Sequence, residues 1–118
     1  MTDLSSTPGG GLIVVPDVFT SLHRKLMFDL ATRGRLPTIC PLRSFTAAGG
    51  LLSYGSNFDS LFRQSASYVD RILRGESPRN LPVQEPTKYE LIVNLRTAKA
   101  IALTIPPTLL AQADETIE

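Results

Sequence analysis

Three short stretches of this chain carry side chains able to hold a small polar molecule. Asp17 follows Leu12-Ile13-Val14-Val15-Pro16, Arg43 and Ser44 follow Thr38-Ile39-Cys40-Pro41-Leu42, and Ser53-Tyr54-Gly55 follows Gly49-Gly50-Leu51-Leu52. Each comes directly after a run that reads as a short β-strand. In open α/β sheets, ligands sit beyond the C-terminal ends of the strands. A small polar ligand needs a few convergent donors and acceptors beside an apolar or aromatic wall. Ser53 offers a hydroxyl, Tyr54 a ring and a hydroxyl, and Gly55 a backbone open to close approach. Asp17 offers a carboxylate, and it is equally placed to cap the helix that follows. Arg43 can hold a carboxylate or stand as a surface loop cation. Ser53, Tyr54, Gly55 and Asp17 are the candidate ligand-binding residues. The competing reading of Ser53-Tyr54-Gly55 is a strand end with a buried tyrosine.

Catalysis is poorly served by the same sequence. The one histidine, His23, falls mid-helix beside Leu22, Arg24 and Lys25, and a catalytic base needs a nucleophile and an orienting acid within reach. Neighbours two positions apart on a helix do not face each other, so Ser21 does not fill that place. Ser53 has only the second glycine of the Gly-x-Ser-x-Gly elbow. One Cys and one His do not make a zinc site, and Asp114, Glu115 and Glu118 read as a solvated helix end. Gly9-Gly10-Gly11 precedes a strand and has no following Lys-Ser/Thr, which argues against a phosphate cradle. The sequence therefore predicts no catalytic residue, no metal and no cofactor.

The elements that would position the candidate residues are legible as alternating strands and helices. Residues 1–10 read as a flexible tail and 11–118 as the folded part. Leu12-Ile13-Val14-Val15 is a continuous apolar run suited to a strand buried on both faces of a parallel sheet. Phe19, Leu22, Leu26 and Leu30 share one helical face, with Asp17 a fitting N-cap and Gly34 a fitting C′ residue. Residues 41–48 read as a loop with room for a helical turn. Asn57 or Ser56 can cap a helix striped by Phe58, Leu61, Phe62, Ser65, Ala66, Val69, Ile72 and Leu73 and closed by Gly75. Pro78, Pro82 and Pro86 enforce an extended stretch. Tyr89–Val93 is a strand, Asn94 caps a short helix to about Ala102, and Pro107 opens a last helix to about Thr116. Strands alternating with helices predict an α/β fold with a largely parallel sheet flanked by helices.

The net charge of +1 is spread along the chain, with no basic cluster and no aromatic–basic interleaving, so nucleic acid is not an expected partner. Cys40 stands alone, which excludes an intramolecular disulfide and leaves the redox compartment open. No apolar run approaches the roughly 20 residues of a membrane helix. The first residues have neither a basic n-region nor an apolar h-region, so the chain as written would stay in the cytoplasm.

Several stretches resemble one family in order and spacing. Gly49-Gly50-Leu51-Leu52-Ser53-Tyr54-Gly55, then Arg63 through Gly75 with its Ile72-Leu73-Arg74-Gly75 ending, then Leu81-Pro82-Val83-Gln84-Glu85-Pro86 and Asn94-Leu95-Arg96-Thr97-Ala98 are similar to the C-terminal part of the substrate-binding proteins of bacterial ABC importers. The resemblance runs from about Gly11 to the end. It implies a two-lobed type I periplasmic-binding (Rossmann-like) fold, of which only the C-terminal portion is present. It also implies a small ligand such as an amino acid in the interlobe cleft, an ABC permease as partner of the intact protein, and a periplasmic location. The region of Ser53-Tyr54-Gly55 would lie near a crossing between lobes. The 58–73 helix would pack on the N-terminal lobe, and Tyr89–Asn94 would return to the C-terminal lobe. Ala102 stands where the family usually has glycine, at a position suited to a left-handed φ.

The incomplete architecture leaves the 58–73 stripe short of a partner, so repacking, segment exchange or a homodimer through that face is expected. Burying one large apolar side chain contributes roughly 1.5–3 kcal/mol. Other readings stay open: an effector-binding sensor domain of a regulator, a small α/β enzyme, and a truncated gene product without independent activity.

Overall fold

The computed structural model describes residues 2–6 and 8–118. Met1 and Thr7, in the expected N-terminal tail, lie outside the described residues. The tail contains one helical turn, α1 (Thr2–Ser5). The chain continues as β1 (Leu12–Ile13), α2 (Val18–Leu22), α3 (Arg24–Arg33), β2 (Thr38–Cys40), α4 (Arg43–Ala47) and β3 (Leu52–Ser56). Then come α5 (Phe58–Leu73), a 3-10 turn at Pro78–Asn80, β4 (Tyr89–Asn94), α6 (Leu95–Ala100), α7 (Pro107–Leu110) and β5 (Glu115–Ile117). The five strands form one sheet in sequence order. β1 pairs parallel to β2, β2 to β3 and β4 to β5, with Ile39 opposite Leu52 and Val93 opposite Thr116.

The chain divides into two compact units. The first is Met1–Gly55 with Glu90–Glu118, and the second is Ser56–Tyr89. The chain leaves the first unit between Gly55 and Ser56 and re-enters it between Tyr89 and Glu90.

The core of the first unit has two centres. Val14, Phe28, Cys40 and Phe45 form one, supported by Leu12, Met27 and Leu42. The Phe28 and Phe45 rings meet edge to face with centroids 6.1 Å apart, the favoured arrangement for an aromatic pair. Leu51, Val93, Ala98, Ile101 and Ile105 form the other centre, backed by Leu91, Leu95, Leu109 and Leu110.

The apolar run at β1 is not buried on both faces as its composition suggests. Val14 is buried, whereas Ile13 is 77% and Val15 67% exposed. The side carrying Val14 and Cys40 is covered by α3 and α4, and no described element covers the Ile13 and Val15 side. The stripe of α2 and α3 is also turned outward. Phe28 and Ala31 are the buried residues of α3, while Phe19, Leu22, Leu26 and Leu30 are exposed. A second, shorter apolar face (Met27, Phe28, Ala31) takes the sheet contact because its residues reach Val14, Cys40 and Phe45.

In the second unit, Asn57 caps α5 by accepting the Ser60 N–H at 2.7 Å. No residue of α5 is buried, and Phe58, Phe62, Val69, Ile72 and Leu73 are all exposed. Tyr68 donates its hydroxyl to the Pro82 carbonyl, which ties the proline-rich stretch back to the helix. Arg71 grips Glu76 through two hydrogen bonds of 2.6 Å.

α5, α3 and α6 each close through a residue of positive φ. α5 ends at Gly75, φ 99°, with Gly75 N–H bonding Ile72 O and Glu76 N–H bonding Arg71 O. The same paired bonds close α3 and α6, but there the left-handed residues are Arg35, φ 51°, and Ala102, φ 57°. Gly34, expected as the left-handed residue after α3, is instead the C-cap at φ −80°. The last expected helix is cut short. α7 covers four residues from Pro107, and Glu115–Ile117 forms β5 beside β4. The acidic stretch is therefore a strand and not a helix end: Asp114 accepts the Leu91 N–H at 2.8 Å, and Glu115 pairs with Arg43.

Candidate ligand-binding site

The site residues are set by how the β3 approach is held. Leu51 donates its N–H to Thr38 Oγ1 at 2.8 Å, and its carbonyl accepts the Asn94 N–H at 2.8 Å. The Gly49 carbonyl accepts the Thr97 hydroxyl at 3.0 Å. A Cβ on Gly50 would lie 2.7 Å from Cys40 Sγ, so glycine lets the chain pass over the buried thiol. Burial pushes that thiol up to about 11, against a smaller downward pull from its hydrogen bond with Thr38. Together these contacts fix where β3 begins and so where Ser53, Tyr54 and Gly55 fall.

The three end up in different environments, as the alternation of a strand requires. Tyr54, the central residue of β3, is 59% exposed. Ser53 is only 2% exposed, and its Oγ is buried with no hydrogen-bond partner. Gly55 approaches backbone rather than open space: a Cβ there would stand 2.1 Å from the Pro41 carbonyl oxygen. The competing reading of a buried tyrosine does not hold, since the buried member of the trio is the serine.

Asp17 is exposed and acts as N-cap of α2. Its Oδ1 accepts the Phe19 N–H at 2.7 Å, and Thr20 Oγ1 accepts the Asp17 N–H at 3.1 Å, a reciprocal capping box. Arg43 is committed to Glu115 through two bonds of 2.7 and 2.5 Å. That pair holds the Glu115 carboxyl below its ordinary value and the guanidinium above its own, the side-chain hydrogen bond being the main cause in both. Arg43 is a surface cation, 55% exposed, and the carboxylate it holds is the chain's own Glu115, which clips β5 to the start of α4.

Asn94 and Thr97 were legible as a helix cap and nothing more. Asn94 Oδ1 accepts the Thr97 N–H at 3.0 Å, and its Nδ2 donates to the Thr46 carbonyl at 2.9 Å, so one buried side chain ties β4 to α4. An Asn directly after the apolar run Leu91-Ile92-Val93 gave the cap; only the fold brings in Thr46. A hollow of about 290 Å³ opens beside this brace, lined by Gly49, Asn94, Arg96 and Thr97 among others. A second hollow, about 340 Å³ and apolar, is lined by Gly11, Ile13, Ile39 and Leu52 among others. None of Asp17, Ser53, Tyr54 and Gly55 lines either one. Among the described residues no group of three His, Cys, Asp or Glu is placed to hold a metal, and no helix is long and apolar enough to cross a membrane.

The chain is an α/β protein with a mostly parallel five-stranded sheet flanked by helices and polar groups at its strand ends. The family model described as "ABC transporter substrate binding protein" matches residues 1–117, and the chain belongs to that family. Among solved structures, it is similar to a conserved domain protein from Vibrio cholerae (26% identity, TM-score 0.84, covering 98% of this chain and 41% of that one). It is similar to an ABC domain in complex with L-Trp from Streptococcus pneumonia (19% identity, TM-score 0.83, 98% and 41%). A third similar structure is the ligand-free, open form of CD0873, a substrate binding protein with adhesive properties from Clostridium difficile (22% identity, TM-score 0.68, 99% and 40%). The chain thus spans about 41% of the length of the first two relatives. No curated protein matches it. The family is one of substrate-binding proteins, and the expected α/β periplasmic-binding architecture is what the chain has.

Proposed function

We propose that this chain is the C-terminal part of the solute-binding component of a bacterial ABC importer, and that it contributes the ends of β1 and β3 to the capture of a small polar molecule. The observation that carries the reading is the exposed Tyr54, one residue past the last β2–β3 pair (Cys40 opposite Ser53) on a strand held by the Thr38, Asn94 and Thr97 brace, in a chain matched by the substrate-binding family over residues 1–117. Tyr54 would supply the aromatic wall and Asp17, whose Oδ1 caps α2, a carboxylate oxygen for the amine of an amino acid. Gly55 keeps the strand close to Pro41, and Ser53 shapes the floor. An aromatic amino acid is the first ligand to test, because a protein of the same fold holds L-Trp. Binding by hinge closure, with a permease as receiving partner and a periplasmic setting, completes the reading for the whole two-lobed protein. No catalytic step is assigned. The α5 stripe is covered in that whole protein, or by another copy of this chain when the rest is missing.

Calorimetric titration with the twenty amino acids tests this. The expected result is saturable heat from at least one of them, weakened roughly tenfold or more by Tyr54→Ala, since a lost aromatic contact costs about 1.4 kcal/mol or more. Saturable binding untouched by both Tyr54→Ala and Asp17→Asn would remove these residues from the site. No heat from any amino acid would favour a product without independent binding activity.

A further inference from the structure

We propose that the polar hollow beside Asn94 and Arg96 is a second binding site, for a small carboxylate with a short aliphatic tail. The hollow, about 290 Å³, opens where β4 ends at Asn94 and α6 begins, and Ala47, Ala48 and Ala100 share its wall with Asn94, Arg96 and Thr97. None of the candidate residues after β1 and β3 lines it. Its charge is positive and uncompensated. Arg96 is exposed and, among the described residues, takes no part in a salt bridge: those join Lys25 to Asp29, Arg43 to Glu115, Arg71 to Glu76 and Arg74 to Asp70. Among the described residues no acidic side chain lines the hollow, so nothing in its wall neutralises the guanidinium.

Asn94 supplies the second, independent observation. Its side chain is buried, with 3% exposure. Its Oδ1 accepts the Thr97 N–H at 3.0 Å and its Nδ2 donates to the Thr46 carbonyl at 2.9 Å. A carboxamide nitrogen carries two hydrogens, so one donor is left on a buried residue that lines the hollow, where an unpaired donor is costly. The Thr97 hydroxyl is already spent on the Gly49 carbonyl. A guanidinium fork and an amide N–H are the partners a carboxylate takes, with two parallel bonds from Arg96 and one from Asn94. Size and lining narrow the class further. Ligand pockets ordinarily start at about 300 Å³, so the occupant is small. The methyl groups of Ala47, Ala48 and Ala100 suit a short hydrocarbon tail better than the hydrated oxygens of a phosphate. The charge is Arg96's and the donor Asn94's; the six-residue α6 is not asked to bind through its end. A bound carboxylate would also tie Arg96 to the brace that fixes the start of β3, because the Asn94 N–H holds the Leu51 carbonyl at 2.8 Å.

NMR titration of the 118-residue chain with propionate is the test, with sodium chloride at matched ionic strength as reference. The expected result is a saturable shift of the Asn94 side-chain amide and the Arg96 Nε–H that chloride does not reproduce. Arg96→Ala should weaken binding roughly tenfold or more, as loss of a charged hydrogen-bond partner does, at unchanged far-UV circular dichroism. Arg96→Lys should retain part of the affinity, and Arg79→Ala, an exposed arginine of the 3-10 turn, should leave it unaltered. Tyr54→Ala should also leave it unaltered, which separates this site from the one proposed above. No saturable shift at Asn94, the same shift with chloride, binding unchanged in Arg96→Ala, or inorganic phosphate binding more tightly than propionate overturns the proposal.

Discussion

Ser53 and Gly55 sit two positions apart on the same face of one strand and respond to substitution in opposite ways. The Ser53 hydroxyl is buried without a partner, so it forfeits its hydration on folding and regains nothing. Removing it in Ser53→Ala should leave the unliganded chain as stable as before or raise its stability by up to about 1 kcal/mol, measured by urea unfolding. A Cβ at Gly55 would meet the Pro41 carbonyl oxygen at 2.1 Å. That oxygen belongs to backbone and cannot swing aside, so Gly55→Ala should cost about 2 kcal/mol or more in the same titration. The sequence made all four candidate residues visible through their place after strands. It could not divide their duties, because a hydroxyl's burial and a glycine's reason depend on what the neighbouring strand brings alongside. Asp17 shows local reading at its best: the N-cap was expected from local sequence and is present, with Thr20 completing a capping box.

At the level of elements, periodicity was read correctly and its outward or inward sense was not. Phe19, Leu22, Leu26 and Leu30 do share a face, yet Phe28 and Ala31 make the sheet contact, since a helix with two apolar sides offers the sequence reader no sign of which one the sheet takes. The strand at Leu12–Ile13, the caps at Asn57 and Asn94 and the proline at the start of α7 were all legible, because each depends on residues within one turn. β5 was not, because its support is the distant strand β4 and the Arg43–Glu115 clip. That clip gives a pH dependence. The Glu115 carboxyl is held below its ordinary 4.5, so its stabilising effect is fully present above that value and is lost as pH falls through the depressed one. Thermal unfolding at stepped pH should show a drop in Tm below about 4.5 that is smaller in Glu115→Gln. The left-handed Ala102 gives a second expectation. Its φ of 57° closes α6 with Leu103 N–H on Ala98 O at 2.9 Å, a geometry that suits glycine. Ala102→Gly should stabilise the chain by about 1 kcal/mol, raising Tm by roughly 4 °C.

At the scale of the whole molecule, two compact units share one chain that leaves the first at Gly55 and returns at Glu90. Among the described residues, apolar side chains stand exposed on the Ile13 and Val15 side of the sheet, along α5 and on α2 and α3. Relatives of the same fold are more than twice as long as this chain, and parallel sheets are ordinarily covered on both faces. The exposed sheet side is a surface that such additional chain would cover. The lone sulfhydryl turns this architecture into something measurable. Cys40 is shut beneath Gly50 and stays protonated well past neutrality, so an alkylating reagent can reach it only when the first unit breathes open. Iodoacetamide labelling followed by mass should therefore proceed at the rate of that opening, slowed by any solute that clamps the strand ends. Labelling as fast as that of a free thiol would mean the lid over the sulfur is loose.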